Sequence, residues 1–312
     1  MFTFLAYIKF LLRSSNQHGV HSPFVYNLVT KCFYDRKKHP SYSILKQYRK
    51  SLLKDKRTIK VKDFGAKSRV FKSDKREVSK MAKIAGISPK RARLLNRLVR
   101  YLEVDNALEL GTSLGLGTAA MAAGNAIRIT TLEGCPETAA VAREKFKTFE
   151  FKDIELKIDR FEKFLVDSGQ WSVVRPNSQL TTDNRLAYGA DFQSVTNRNS
   201  KFQIPNSKKK QPTTDSPQPS TPISILNTKY SLLFIDGNHQ KEATLAYFEK
   251  LLPTVHNDSV MIFDDIHWSK GMEEAWEIIK QHSEVRVTID TFQWGLVFFR
   301  REQEKEHFVI RV

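Results

Sequence analysis

The sequence predicts an α/β protein built on a doubly wound, mostly parallel sheet, and three observations carry that expectation. Residues 104–133 read as a strand, a glycine-bearing loop, a helix and a second strand closed by an acid. The continuous apolar runs 230–235 and 259–263 end in acids and lead into helices, the pattern of parallel strands buried on both faces. Alternating stretches at 285–290 and 295–300, on either side of Thr291-Phe292-Gln293-Trp294, predict a closing antiparallel hairpin.

At 312 residues and 40% hydrophobic, the chain is long and apolar enough for a sizeable core. Its two cysteines, Cys32 and Cys135, are too few and too far apart for a disulfide framework or a metal cluster. The apolar start, residues 1–13, is shorter than the roughly 20 residues a bilayer span needs. It lacks a basic leader and a small-residue cleavage site, so a cytoplasmic protein is expected. This segment is expected to pack on the chain's own core, with a position on a membrane surface as the alternative.

Ser22-Pro23 is an N-cap followed by an N1 proline and starts a helix to about residue 34. His18 and His21 precede it, in a loop that is either a plain helix entry or part of an acceptor pocket. A basic amphipathic stretch covers 46–62, and a polar loop follows at 63–69, where Arg69 is a candidate ligand contact. Residues 1–100 hold 26 Lys and Arg against 5 Asp and Glu, a charge spread along the segment as on solvated helix faces. The same imbalance supports a rival reading, a nucleic-acid-binding protein. Residues 79–99 imitate a helix-turn-helix with Gly86 in the turn and Arg91, Arg93 and Arg97 on the second helix. Against it, Leu94, Leu95, Leu98 and Tyr101 form one apolar face suited to packing on a sheet, which makes a nucleic-acid partner the weaker expectation.

The loop at 109–117 has the spacing E-x-G-x-S-x-G-x-G, which is not the dinucleotide fingerprint, and no lysine follows its last glycine as a P-loop requires. Glu109 beside it would repel a phosphate and suits a ligand carrying an ammonium group. Glu133, 24 positions after Glu109, ends the second strand where an acid of a βαβ unit accepts the hydroxyls of an adenosine ribose, with a plain role at the N-terminus of the helix that Pro136 opens as the alternative. A helix follows over 136–149 and a third strand over 154–158, ending in Asp159. Residues 168–228, with several prolines and a Lys208-Lys209-Lys210 run, are expected to be a disordered insertion. After it come the strand at 230–235, a helix that Pro253 stops, the strand at 259–263, a helix over 269–281, the hairpin, and a short tail at 306–312 suited to an edge strand.

In these strings the chain resembles the class I S-adenosylmethionine-dependent methyltransferases, and within them the catechol- and caffeoyl-CoA-type O-methyltransferase branch. The matching strings lie at 107–122, 129–143 and 232–239, within a resemblance that runs from about 87 to 300 with one interruption. It implies a Rossmann-like, doubly wound, seven-stranded sheet with an antiparallel last strand, occupying 80–312 behind a basic helical extension over 1–79. It also implies S-adenosylmethionine as cofactor, held by Glu109, Gly111, Thr112, Ser113, Gly115, Gly117, Glu133 and Asp236, with Asp159 accepting from the adenine amine or acting as a plain turn acid. The acceptor is expected to be a small molecule methylated on oxygen, less favourably on nitrogen.

Ligands of open α/β sheets sit beyond the carboxyl ends of the strands, so Asp236, Asp264 and Asp265 should share a rim with Glu109 and Glu133. Methyl transfer from a sulfonium is an in-line displacement in which the protein aligns the acceptor and manages its proton. Two arrangements suit this rim. In one, Asp236, Asp264 and Asp265 hold Mg²⁺, although the family often has Asp-Asn in place of Asp264-Asp265 and a lysine in place of His239. In the other, His239 or His267 takes the proton directly, with Asp236 beside it.

Overall fold

The computed structural model describes residues 2–62, 64, 73–84, 86–161, 163 and 225–312. Arg69 and the expected insertion up to residue 224 lie outside these; from residue 225 the chain is ordered as a short 3-10 turn, with Ile225 buried.

Three helices come first, α1 (Phe2–Arg13), α2 (Pro23–Leu28) and α3 (Ser41–Leu53). The Ser22 hydroxyl accepts from the Val25 N–H as the N-cap expectation requires, and α2 runs on through one π turn, Val29–Phe33. A small antiparallel ribbon of β1 (Thr58–Lys60) and β2 (Lys75–Glu77) leads into α4 (Val78–Ile84) and α5 (Pro89–Tyr101). Then β3 (Asn106–Leu110), α6 (Leu116–Ala122), β4 (Arg128–Glu133), α7 (Pro136–Thr148) and β5 (Ile154–Ile158) follow. The chain ends with β6 (Leu232–Ile235), α8 (Lys241–Leu251), β7 (Val260–Asp264), α9 (Lys270–Gln281), β8 (Val287–Asp290), β9 (Trp294–Phe298) and β10 (Glu306–Val309).

Among the described residues the main sheet has eight strands in the order β10-β8-β9-β7-β6-β3-β4-β5. Only β9 runs against its neighbours, inserted between β7 and β8, which is the antiparallel strand the sequence predicts. The eighth strand is the tail, paired parallel to β8. Strand order reverses between β3 and β6, so the carboxyl ends of β4, β3, β6 and β7 line one crevice at the switch point.

Side chains along β6 alternate between the two faces of this sheet. Leu232 and Phe234 join a core with α2, α3, α5, α6 and α7, whereas Leu233 and Ile235 join a second core with α8 and α9. Burial on both faces is why β6 and β7 read as unbroken apolar runs. The basic N-terminal segment shares the first core through Val25, Leu28, Val29, Tyr48 and Leu52.

The helix-turn-helix reading loses its arginines to internal partners. Arg97 donates to the carbonyls of Cys32 and Phe33 and to Tyr42 Oη, and Arg91 pairs with Asp264. A recognition helix needs those guanidinium groups free for phosphate and bases. His18 and His21 are exposed beside Ser15, which bridges to Ile310, so they lie at the outer edge of the sheet, away from the switch point.

Candidate active site

The turn after β3 is pulled against the next strand, because the N–H groups of Gly111 and Thr112 both donate to the Leu132 carbonyl, at 3.0 and 3.1 Å. Gly111 adopts φ +105°, and a Cβ there would overlap the backbone carbonyl oxygen of Asp236. Gly115, at φ +76°, opens α6 with the Tyr48 hydroxyl and the Phe146 ring against it. That hydroxyl also donates to the Leu114 carbonyl at 2.9 Å, so α3 fixes the outer side of the loop. Gly111→Ala is therefore expected to cost about 3 kcal/mol or more, since left-handed strain adds to a backbone overlap that no rotamer relieves. A thermal melt checks this against Gly86→Ala, whose Cβ meets only the movable tip of Leu116 and should cost much less.

Glu133 binds the same loop from below. One carboxylate oxygen accepts from the Ser113 N–H and the other from the Cys135 N–H, each at 2.8 Å, and the group is half-buried at the crevice.

Glu109 departs from expectation. It is fully buried, with Oε2 accepting from the Thr118 and Thr131 hydroxyls, and Oε1 facing Gly117, where any Cβ would strike it. Thr131 also bonds the Thr112 hydroxyl at 2.6 Å. Direct contact with a ligand ammonium is thus corrected: a residue beneath the loop shapes it from behind. Burial lifts this carboxyl to about 7 against the two hydroxyls that favour its ionised form. Asp159, at the end of β5, accepts from the Arg160 N–H and pairs with Lys163 at 2.7 Å, which holds it below the usual carboxylate range.

On the other side of the switch point stand Asp236, His239 and Asp264, whose ligating atoms all lie within 4.8 Å of one another. Asp265 is outside that group, so the expected acid triad is corrected to two acids and an imidazole. Asp265, at φ +53°, still lies close enough to add its charge to Asp236. Burial and mutual proximity push Asp236 and Asp264 well above the usual carboxylate range. Two half-repelling oxygens with an imidazole are a donor set that fits a hard divalent cation. One oxygen is already used, however. Asp264 Oδ1 accepts from Arg91 Nη1 and from Trp294 Nε1, both at 2.7 Å, so a guanidinium supplies positive charge at this spot.

His267 lies nearby in sequence but in a different setting. Its Nδ1 meets Glu273 at 2.8 Å and its Nε2 meets Asp290 at 2.9 Å, while its ring stacks on Phe292. Burial works against the charged ring, yet the two carboxylates outweigh it and raise the pKa. With both nitrogens committed to acids, no lone pair remains to accept a proton, and the expectation of a catalytic His267 is corrected to a structural clamp.

The shifts of Asp236, Asp264 and His267 have one sign. Acids raised to about 7 hold protons that the unfolded chain has already released, so the stability they contribute is present below about pH 4 and lost as pH rises through about 7. The raised imidazole acts in the same direction, from its ordinary range upward. The midpoint of thermal unfolding is expected to fall by about 5 °C or more between about pH 5 and pH 8, with a shallower fall in Asp236→Asn. A flat profile in the parent protein would mean that the pair stays ionised throughout.

Beside His239 an open cleft of 540 Å³ is lined by Gln240, Lys241, Trp268, Ser269 and Glu274, between the starts of α8 and α9. A comparison with family models matches residues 108–266 to "Methyltransferase domain", which spans both the loop and this acid cluster.

The chain belongs to the methyltransferase domain family.

The expectation of an S-adenosylmethionine-dependent methyltransferase is thereby borne out at family level. Among solved structures, one supports the fold and others are similar at lower scores. The SAH-bound methyltransferase PaMTH1 of Podospora anserina is 11% identical, with 90% of this chain and 97% of that one covered at a TM-score of 0.50. The O-methyltransferase from Bacillus cereus, in complex with SAH, is 15% identical over 85% and 92% of the two chains, at a TM-score of 0.45. TomG from Streptomyces achromogenes, an O-methyltransferase in complex with SAM, is 13% identical over 85% and 91%, at a TM-score of 0.45. A search of curated proteins found no match. In this methyltransferase Arg91, Thr118, Thr131 and Trp294 escape sequence reasoning, because each acts only through a distant carboxylate.

Proposed function

We propose that this methyltransferase carries the methyl group of S-adenosylmethionine to a hydroxyl oxygen of a small molecule seated in the cleft beside His239 and Trp268. The observation that carries the reading is the rim itself. A ribose-accepting carboxylate, Glu133, and a proton-accepting group, His239, stand on opposite sides of one glycine turn, at the ends of β4 and β6. S-adenosylmethionine supplies an electrophilic methyl when bound. The chain's own residues then have three tasks: Gly111 to Gly117 let the ligand approach the backbone, Glu133 accepts from the ribose, and Asp159 would accept from the adenine amine once released from Lys163.

His239 removes the acceptor's proton, with Asp236 Oδ1 3.9 Å from its Nε2. Arg91 pairs with Asp264 at 2.7 Å and offsets part of the negative charge that would face the acceptor oxygen. A second reading rests on the grouping of Asp236, His239 and Asp264, which would hold Mg²⁺ and lower the pKa of the acceptor hydroxyl.

Calorimetric titration with S-adenosylhomocysteine, followed by transfer of a labelled methyl group to a panel of phenols, catechols and amines, tests the proposal. Roughly micromolar binding with label appearing on hydroxyl acceptors is expected. Label found only on amines refutes the oxygen assignment. Activity unchanged by EDTA favours the imidazole reading, and loss restored by Mg²⁺ favours the cation.

A further inference from the structure

The helix α1 is seated on the protein along one narrow line and presents large apolar side chains everywhere opposite. Ala6 and Phe10 are buried, with Tyr7 and Phe10 packed on the Phe292 ring at 4.8 and 5.5 Å between centroids. The end of the helix is pinned where the Ser15 N–H donates to the Val309 carbonyl at 2.9 Å and the Arg311 N–H to the Ser15 carbonyl at 3.1 Å. At 100° per residue, Phe4, Leu5, Ile8 and Leu12 fall on the arc facing away from Ala6 and Phe10. They are 67%, 49%, 40% and 83% exposed. An unbroken outward stripe of this kind marks a surface made to be covered.

Charge decides what covers it. Lys9 borders the stripe and Arg13 ends the helix nearer its docked side; both are exposed, and among the described residues neither has an acidic partner. No Asp or Glu occurs before Asp35, and residues 1–100 carry 26 basic against 5 acidic side chains. Two copies joined through this face would bring those cations together with no local acid to balance them. A bilayer containing anionic lipid balances them, while the apolar stripe enters the boundary between headgroups and acyl chains. A helix of 12 residues is too short to cross and suits a position in the interface plane. In accord with that, no described helix is long and apolar enough to span a membrane. Lys9 can lay its stem along the stripe and lift its charged end to the headgroups, and Arg13 adds a second exposed cation at the end of the helix.

From this we infer that α1 is a membrane-surface anchor, which docks the methyltransferase on anionic bilayers through Phe4, Leu5, Ile8 and Leu12.

Co-sedimentation of the full chain with lipid vesicles tests this, using phosphatidylcholine alone and phosphatidylcholine with about 30% phosphatidylglycerol, at low and high salt. Binding to the anionic vesicles is expected, weakened roughly tenfold in the double variant Ile8→Glu/Leu12→Glu. Lys9→Gln/Arg13→Gln should weaken binding to anionic vesicles and abolish most of the salt dependence. All four positions are exposed, so melting temperature and S-adenosylhomocysteine affinity should not change, and those two measurements confirm folding. Failure of the parent chain to sediment overturns the inference. So does equal sedimentation of the Ile8→Glu/Leu12→Glu variant, which would place the contact on the wider basic surface. Light scattering that finds a dimer split by those two substitutions, without vesicle binding, assigns the stripe to a second copy instead.

Discussion

Replacing Glu133 by alanine is expected to lower affinity for S-adenosylhomocysteine by about 10²- to 10³-fold, while the protein melts within a few degrees of its parent. Two charge-assisted hydrogen bonds to ribose hydroxyls are each worth about 1.5–3 kcal/mol, and the variant loses both. It also loses the two 2.8 Å contacts through which the carboxylate sets the Ser113 and Cys135 N–H groups, so the loop meets its ligand less well organised. Because the group is half-buried at the crevice, the freed N–H donors can turn to water, which keeps the stability loss near 1 kcal/mol. Glu133→Gln separates the contributions. Its oxygen can still accept from one N–H, but its amide nitrogen faces the other donor, so affinity should fall to an intermediate value. Calorimetric affinity within threefold of the parent in Glu133→Ala would mean that adenosine is held elsewhere.

What could be read in advance from the chain depended on how local the physical cause was. The runs that became β6 and β7 were legible because a parallel strand covered on both faces needs an apolar side chain at nearly every position. The loop and Glu133 were legible because a βαβ unit fixes the distance between one strand end and the next. Glu109 was placed correctly at the end of β3 but given the wrong partner. Nothing near it in sequence reveals that Thr118 and Thr131, 9 and 22 positions away, turn their hydroxyls inward to meet it. The partner of Arg91 was hidden for the same reason. An arginine on a basic helix looks like a phosphate contact, and its acid, Asp264, lies 173 positions further on. The outward face of α1 shows the converse limit, since twelve mostly apolar residues do not declare which side the protein will cover.

The two rim histidines bring out the same limit, and substituting them should separate their roles sharply. His239 and His267 each follow an acid-tipped strand by a few residues, so sequence alone leaves both as proton acceptors. In the folded chain the Nε2 of His239 is 3.9 Å from Asp236 Oδ1, beyond hydrogen-bond reach, and its ring lines the cleft beside Trp268. His267 is held between Glu273 and Asp290. Accordingly, His239→Gln should reduce kcat by about 10²- to 10³-fold with S-adenosylhomocysteine affinity unchanged, the usual span for a lost general base. His267→Gln should leave kcat within about threefold but lower stability by about 1–2 kcal/mol, as buried Asp290 and half-buried Glu273 lose a charged partner. The pH profile supplies a check that a merely structural effect cannot imitate: the acidic limb of the parent's rate profile should disappear in His239→Gln and persist in His267→Gln. If the two variants lose activity alike and keep the same limb, proton removal does not pass through His239. The grouping of Asp236, His239 and Asp264 would then have to act by holding a cation, and EDTA should abolish the parent's activity.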